Sequence, residues 1–161
     1  MTAATRNHTQ RVAGGVLAAS GLARGDVFSP LKWVRTLKGA EAKQQFSLLL
    51  EGTGPWLEEA VDLLLIHWPS CDPKAGGSAC SGPGSASSTP VCVVGGPVYD
   101  ERACRLDTWK GLVEIWQAKG ARAIGVSNYN ASNLEEIKAP LPAVNQIPFN
   151  PYRSAYAAST I

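Results

Sequence analysis

Hydrophobic and polar positions along the chain alternate between unbroken apolar runs and helical stripes. Residues 61–69, Val-Asp-Leu-Leu-Leu-Ile-His-Trp-Pro, run five apolar residues, without period-two alternation, into a histidine, a tryptophan and a proline. Such a run suits a strand covered on both faces, as in a parallel sheet packed between helices or closed into a barrel. Farther along, Trp109, Leu112, Val113 and Trp116 fall at helical spacing, with Asp107 or Thr108 as the cap of a predicted helix and Gly120 as its stop. Residues 121–129, Ala-Arg-Ala-Ile-Gly-Val-Ser-Asn-Tyr, predict a short strand ending in polar groups. Ser132 followed by Glu135 forms a capping box for a second helix with Leu134 and Ile137 as apolar positions, ended by Pro140 and Pro142. Residues 141–147 predict a further strand. Strand, helix, strand, helix, strand in this order calls for parallel pairing with right-handed crossovers.

Composition changes abruptly after the histidine run. Residues 74–90 are rich in Gly, Ser, Ala and Pro, and such sequence buries too little apolar surface to offset its ordering entropy. Segment 70–105 is accordingly expected to be a flexible insertion, with residues 91–97 as a candidate short strand inside it. All four cysteines, Cys71, Cys80, Cys92 and Cys104, lie there without a CxxC pair or zinc-like spacing, so no metal site is expected. The first residues lack the apolar core of a signal peptide, and no run approaches the roughly 18 apolar residues of a membrane span. A cytoplasmic protein with reduced thiols, and no membrane partner, is the expectation. With 15 basic and 13 acidic residues in mixed order, the chain has no basic stripe of the kind that binds nucleic acid. Its 45% hydrophobic residues are those of a globular domain.

Three blocks then carry a family resemblance. Residues 62–69, Asp-Leu-Leu-Leu-Ile-His-Trp-Pro, are the first. The stretch from Leu112 through residues 122–129, Arg-Ala-Ile-Gly-Val-Ser-Asn-Tyr, is the second. Residues 142–147, Pro-Ala-Val-Asn-Gln-Ile, followed by Asn150-Pro-Tyr152, are the third. Together and in this order they resemble the aldo-keto reductases. A weaker fourth block, residues 20–33, looks like the family's stretch leading to its catalytic lysine, with Lys32 four residues after Phe28. The resemblance implies a (β/α)₈ barrel in which hydride passes from NADPH to an aldehyde or ketone. Hydride arriving at carbon leaves negative charge on oxygen, so the site needs a proton donor and polarising groups. The family uses a tyrosine donor, a lysine that lowers the phenol's pKa from about 10, an aspartate paired with the lysine, and a histidine that orients the carbonyl. Carried over by position, Lys32 is the lysine and His67 the histidine. The resemblance also implies that Ser127, Asn128 and Gln146 hold the nicotinamide carboxamide, and that Trp68 lines the substrate pocket or packs in the core. Taken alone, a histidine such as His67 is more often a satisfied buried or loop group than a site, and Lys32 or Ser127 equally reads as a solvated or turn residue.

Two of the four catalytic positions depart from the family. Met1 or Thr2 stands where the aspartate belongs, and Arg6 or Asn7 where the tyrosine belongs. A complete barrel of this type typically needs about 250 residues, against 161 here. The resemblance therefore implies a single incomplete domain over residues 1–161, a partial barrel of about four βα units. The family's grip on the adenosine phosphate and the tyrosine under its nicotinamide would fall beyond Ile161. The expectations are impaired NADPH-dependent reduction of a small-molecule carbonyl substrate or, as the alternative, a non-catalytic half-barrel remnant acting as a binding or assembly module. Open sheet edges would favour self-association.

Overall fold

The computed structural model describes residues 12, 14–33, 43, 46, 47, 61–69 and 101–149. Residues 1–11, most of the expected insertion with Cys71, Cys80 and Cys92, and Asn150-Pro-Tyr152 lie outside the described residues. A 3₁₀ turn at Arg24–Asp26 precedes strand β1 (Pro30–Trp33), and strand β2 (Val61–Ile66) follows. Helix α1 (Glu101–Gln117), strand β3 (Ala121–Ser127), helix α2 (Ala131–Glu135) and strand β4 (Asn145–Gln146) complete the order. The four strands form one sheet in the order β1-β2-β3-β4, every neighbouring pair parallel. This is the pairing that the alternation of strands and helices predicts.

All six residues of β2 are buried, its five apolar residues by packing and Asp62 by its ion pairs with Arg24 and Arg122. In-register partners in a parallel sheet share a face, and successive residues alternate. Leu31, Leu64 and Ile124 stand side by side, as do Ile66 and Val126, and these five pack with Trp109, Leu112 and Ile115 of α1 in the core. Burying a side chain such as Leu64 or Ile66 completely stabilises the fold by about 1.5–3 kcal/mol. Lys32, Leu65 and Gly125 are likewise partners, on the other face of the sheet.

Helix ends differ from the sequence expectation. Helix α1 begins at Glu101, so Asp107 and Thr108 lie inside it and residues 101–105 of the expected insertion are helical. Residues 101–106 are mostly strong helix formers with no Gly or Pro to stop them, and Arg105 is anchored by a bidentate ion pair to Glu136 at 2.8 and 2.7 Å. At the other end the left-handed residue is Lys119, with φ 65°, rather than Gly120. The Lys119 N–H donates to the Trp116 carbonyl at 2.9 Å and the Gly120 N–H to the Ile115 carbonyl at 3.0 Å, the paired bonds of a Schellman end. Gly120 is needed for space instead: a Cβ there would lie 2.9 Å from Phe46 and 3.0 Å from the Ile115 side chain. Helix α2 is capped by Asn130 rather than Ser132, with Asn130 and Asn133 exchanging side-chain to backbone bonds at 2.9 and 3.3 Å. Asparagine caps at least as well as serine, and it sits where the chain leaves the extended region.

Strand β4 is also shorter than residues 141–147. Pro142 has no N–H to give a ladder, yet the chain beyond it already lies along β3: Ala143 N–H donates to Ile124 O at 2.9 Å and Val126 N–H to Val144 O at 2.8 Å. That approach leaves no room at Gly125, where a Cβ would stand 2.6 Å from the Val144 carbonyl oxygen and 2.7 Å from Leu65 Cδ2. At the opposite, amino edge of the sheet, buried Asp62 accepts from Arg24 at 2.8 Å, from the Ser29 N–H at 2.7 Å and from Arg122 at 2.9 Å. Burial alone would raise its pKa, but the Ser29 N–H and the two guanidiniums outweigh it and hold the carboxyl below its usual range.

Gly125→Ala should lower unfolding stability by about 1–3 kcal/mol, because backbone rather than a flexible side chain must yield; urea denaturation reads this directly. Asp62, depressed when folded, contributes stability that is fully present above its unfolded pKa of about 3.9 and is lost as pH falls through the folded value. Asp62→Asn should therefore cost about 1–3 kcal/mol at neutral pH, with the gap to wild type narrowing in denaturation curves below about pH 4. A gap that stayed constant into acid would show that the carboxylate is not the source of the effect.

Candidate functional site

The carboxyl edge of the sheet gathers the polar side chains. Lys32 lies in β1, His67 follows the last residue of β2, Ser127 ends β3 and Gln146 ends β4. Ile66 pairs with Val126, so His67 comes one step later, level with Ser127, which pairs with Gln146. Lys32 pairs with Leu65 and so stands two positions lower on the same face, exposed. The alternation that sends Leu64, Ile66, Ile124 and Val126 to the core thus turns Lys32, His67, Ser127 and Gln146 to the opposite face.

Asn128 breaks the strand. Its φ is 62°, in the left-handed region that Asn tolerates better than most residues. The turn brings its side chain back across the strand tips, where Nδ2 donates to the His67 carbonyl at 2.7 Å and to Ser127 Oγ at 3.1 Å. Ser127 in turn donates to the Gln146 carbonyl at 2.8 Å, and that same oxygen accepts the Asn128 N–H at 3.0 Å. Ser127 is buried, and its hydroxyl is used as donor and acceptor at once. Among the described residues, the Gln146 side-chain amide and Asn128 Oδ1 make no hydrogen bond, so they are the amide groups of this edge open to a ligand. Trp68 is 49% exposed and its ring stacks beside His67 with centroids 5.5 Å apart, which removes the core-packing reading.

Tyr129, by contrast, points away from this face. It is buried in the core cluster with Ile137, and its hydroxyl has no hydrogen-bond partner among the described residues. Burial raises its pKa far above the usual phenol range, Glu136 adds to this and Arg105 only partly opposes it. A phenol so placed neither ionises nor reaches the Lys32 and His67 face. Asn145 and Asp62 were not among the sequence candidates. The signal for Asn145 is an asparagine inside a strand, where Asn is disfavoured; Asp62 is a charge inside an apolar run. Among the described residues no group of His, Cys, Asp and Glu could hold a metal ion, and no helix is long and apolar enough to cross a membrane.

Comparison with known proteins gives this geometry a context. The sequence profile of the aldo/keto reductase family matches residues 56–160. An aldo-keto reductase of Mycobacterium tuberculosis is 32% identical over 145 residues, covering 86% of this chain and 39% of that protein. Aldose reductase B of Dictyostelium discoideum is 29% identical over 144 residues, with 86% and 43% covered. The chain thus spans about two fifths of the length of the curated relatives it matches. Among solved structures, an aldo/keto reductase from Brucella melitensis superposes with a TM-score of 0.62 at 22% identity, over 94% of this chain and half of that one (50%). An aldo-keto reductase of Bombyx mori in complex with NADP gives 0.61 at 21% identity, over 97% and 46%. At such identities the likeness shows the fold, and the parallel sheet with its helices is part of an α/β barrel. With its matched profile covering well over half of its length, the chain belongs to the aldo/keto reductase family.

Proposed function

We propose that this chain carries part of a site for NADPH-dependent reduction of an aldehyde or ketone, with the carboxyl edge of its sheet receiving the nicotinamide carboxamide. The observation that supports this most is the pairing of an open Gln146 amide with an Asn128 Oδ1 fixed by its own Nδ2 bonds. A carboxamide offers two N–H donors and one carbonyl acceptor, and Asn128 Oδ1 with the Gln146 amide matches both. NADPH would supply the hydride. His67, level with these amides, would direct an N–H toward the carbonyl oxygen, where negative charge develops. Lys32, on the same face, would add positive charge nearby, and Trp68 would close the substrate side with its exposed ring.

A second reading, a chain that keeps the cradle without turnover, is favoured by one observation. The tyrosine among the described residues, Tyr129, lies buried on the opposite face, and Arg6 or Asn7 stands where the family's proton donor is matched. None of these can donate a proton as a phenol beside Lys32 would.

Titration of the whole chain with NADPH, followed by tryptophan fluorescence, should show saturable quenching through Trp68, and Gln146→Ala should weaken binding about tenfold, one lost hydrogen-bond pair being worth about 1–1.5 kcal/mol. Carbonyl-dependent loss of NADPH absorbance, abolished in His67→Ala, would support the reductase; quenching without it would support the second reading. A chain that does neither would sink both.

A further inference from the structure

We propose that Asn145 is a positioning residue for this edge: its side-chain amide clamps the backbone of Tyr129 and thereby holds the left-handed Asn128 in front of the Gln146 strand tip. Asn145 pairs in register with Val126, a core residue, so its side chain leaves β4 on the face opposite Gln146. From there Oδ1 accepts the Tyr129 N–H at 3.3 Å and Nδ2 donates to the Tyr129 carbonyl at 2.8 Å. An amide side chain presents one acceptor and a donor much as a peptide group does. The side chain therefore continues the β3–β4 ladder one step past the point where β3 ceases to be extended.

The step matters because of what lies between. A non-glycine residue at φ 62° sits in a sparsely populated region at a cost of order 1 kcal/mol, and persists where its surroundings fix both flanks. One flank is the Asn128 N–H on the Gln146 carbonyl at 3.0 Å; the other is Tyr129, held by Asn145. Released on that second side, Asn128 can relax to extended backbone. Its Nδ2 would then leave the His67 carbonyl and Ser127 Oγ, and Oδ1 would no longer be aimed at a ligand. Aspartate in place of Asn145 keeps the acceptor but loses the donor, so the amide itself is required. The inference rests on the preceding reading for its ligand alone; the clamp stands on the bonds just described.

The test uses the isotope-labelled full chain, Asn145→Ala, and Asn145→Asp as a second variant should the first not fold. In Asn145→Ala the Tyr129 and Asn128 amides should both exchange about tenfold faster relative to Ile124 in the core. The Asn128 side-chain NH₂ resonances should move, and NADPH should bind about fivefold more weakly. Asn145→Asp should move the same Asn128 signals. A residue that only packs would leave the Asn128 side-chain resonances in place, and unchanged Asn128 amide and side-chain signals in the folded variants would overturn the proposal. Failure of the wild-type chain to bind NADPH would remove the preceding reading, and the Asn128 signals would then decide on the clamp by themselves.

Discussion

The register between β2 and β3 is the constraint on which the rest of the structure depends. It sets Leu64 beside Ile124 and Ile66 beside Val126 on the helix side, and Leu65 beside Gly125 on the other. A slip of one residue would turn every side chain of one strand to the wrong face: Gly125 would pass to the helix side, Ile124 and Val126 would leave the core, and Ser127 would no longer stand level with His67. Because all six residues of β2 are buried, no solvated face exists onto which the error could be discharged. The position of the polar edge is thus a consequence of apolar packing lower in the strands.

Both edges of the sheet are polar, and they differ in kind. At the amino edge one carboxylate, Asp62, gathers Arg24, Arg122 and the Ser29 N–H, tying β2 to β3 and to the chain entering β1. Charge is satisfied there, and the groups are committed to one another. At the carboxyl edge the bonds run between neutral amides, a hydroxyl and carbonyls, and Asn128 Oδ1 and the Gln146 side-chain amide stay open. In a barrel of this class the amino edge serves stability and the carboxyl edge chemistry, and the division is visible in which groups remain open.

The strands and their pairing were legible in the chain because they rest on runs of apolar residues, which hold whatever surrounds them. The apolar run of 61–66, the helical stripe at Trp109, Leu112 and Val113, and the order of elements appear where expected, whereas Trp116 at the end of the stripe is exposed. The ends of elements were not legible to the same degree, since several residues compete for each cap and tertiary contact decides. Ser132 and Asn130 both qualify as caps; Asn130 takes the place because it is the residue at which the chain leaves the extended region, and Asn133 completes the box. Gly120 qualifies as the left-handed terminator, but Lys119 holds that conformation, and the glycine serves the close approach of Phe46 and Ile115. The polar tips of the strands were legible as positions. Their mutual bonds were not, because a side chain that folds back on its own neighbours leaves no pattern in spacing.

That folding back has a consequence for what the edge can recognise. Asn128 has two N–H groups and one acceptor, and the structure uses its donor on the His67 carbonyl and Ser127 Oγ. Ser127 in turn directs its proton to Gln146 O. What remains toward a ligand from these two residues is acceptor character alone, and any donor must come from the Gln146 amide. A ligand satisfying this edge must therefore bring N–H groups together with at most one strong acceptor, which suits a primary carboxamide and disfavours a carboxylate in its place. The carboxylate would meet lone pairs on Asn128 and Ser127, with the Gln146 amide as its hydrogen-bond donor among these three residues. The polarity of this edge thus follows from donors already spent inside the protein, on the same bonds that fix the strand tips.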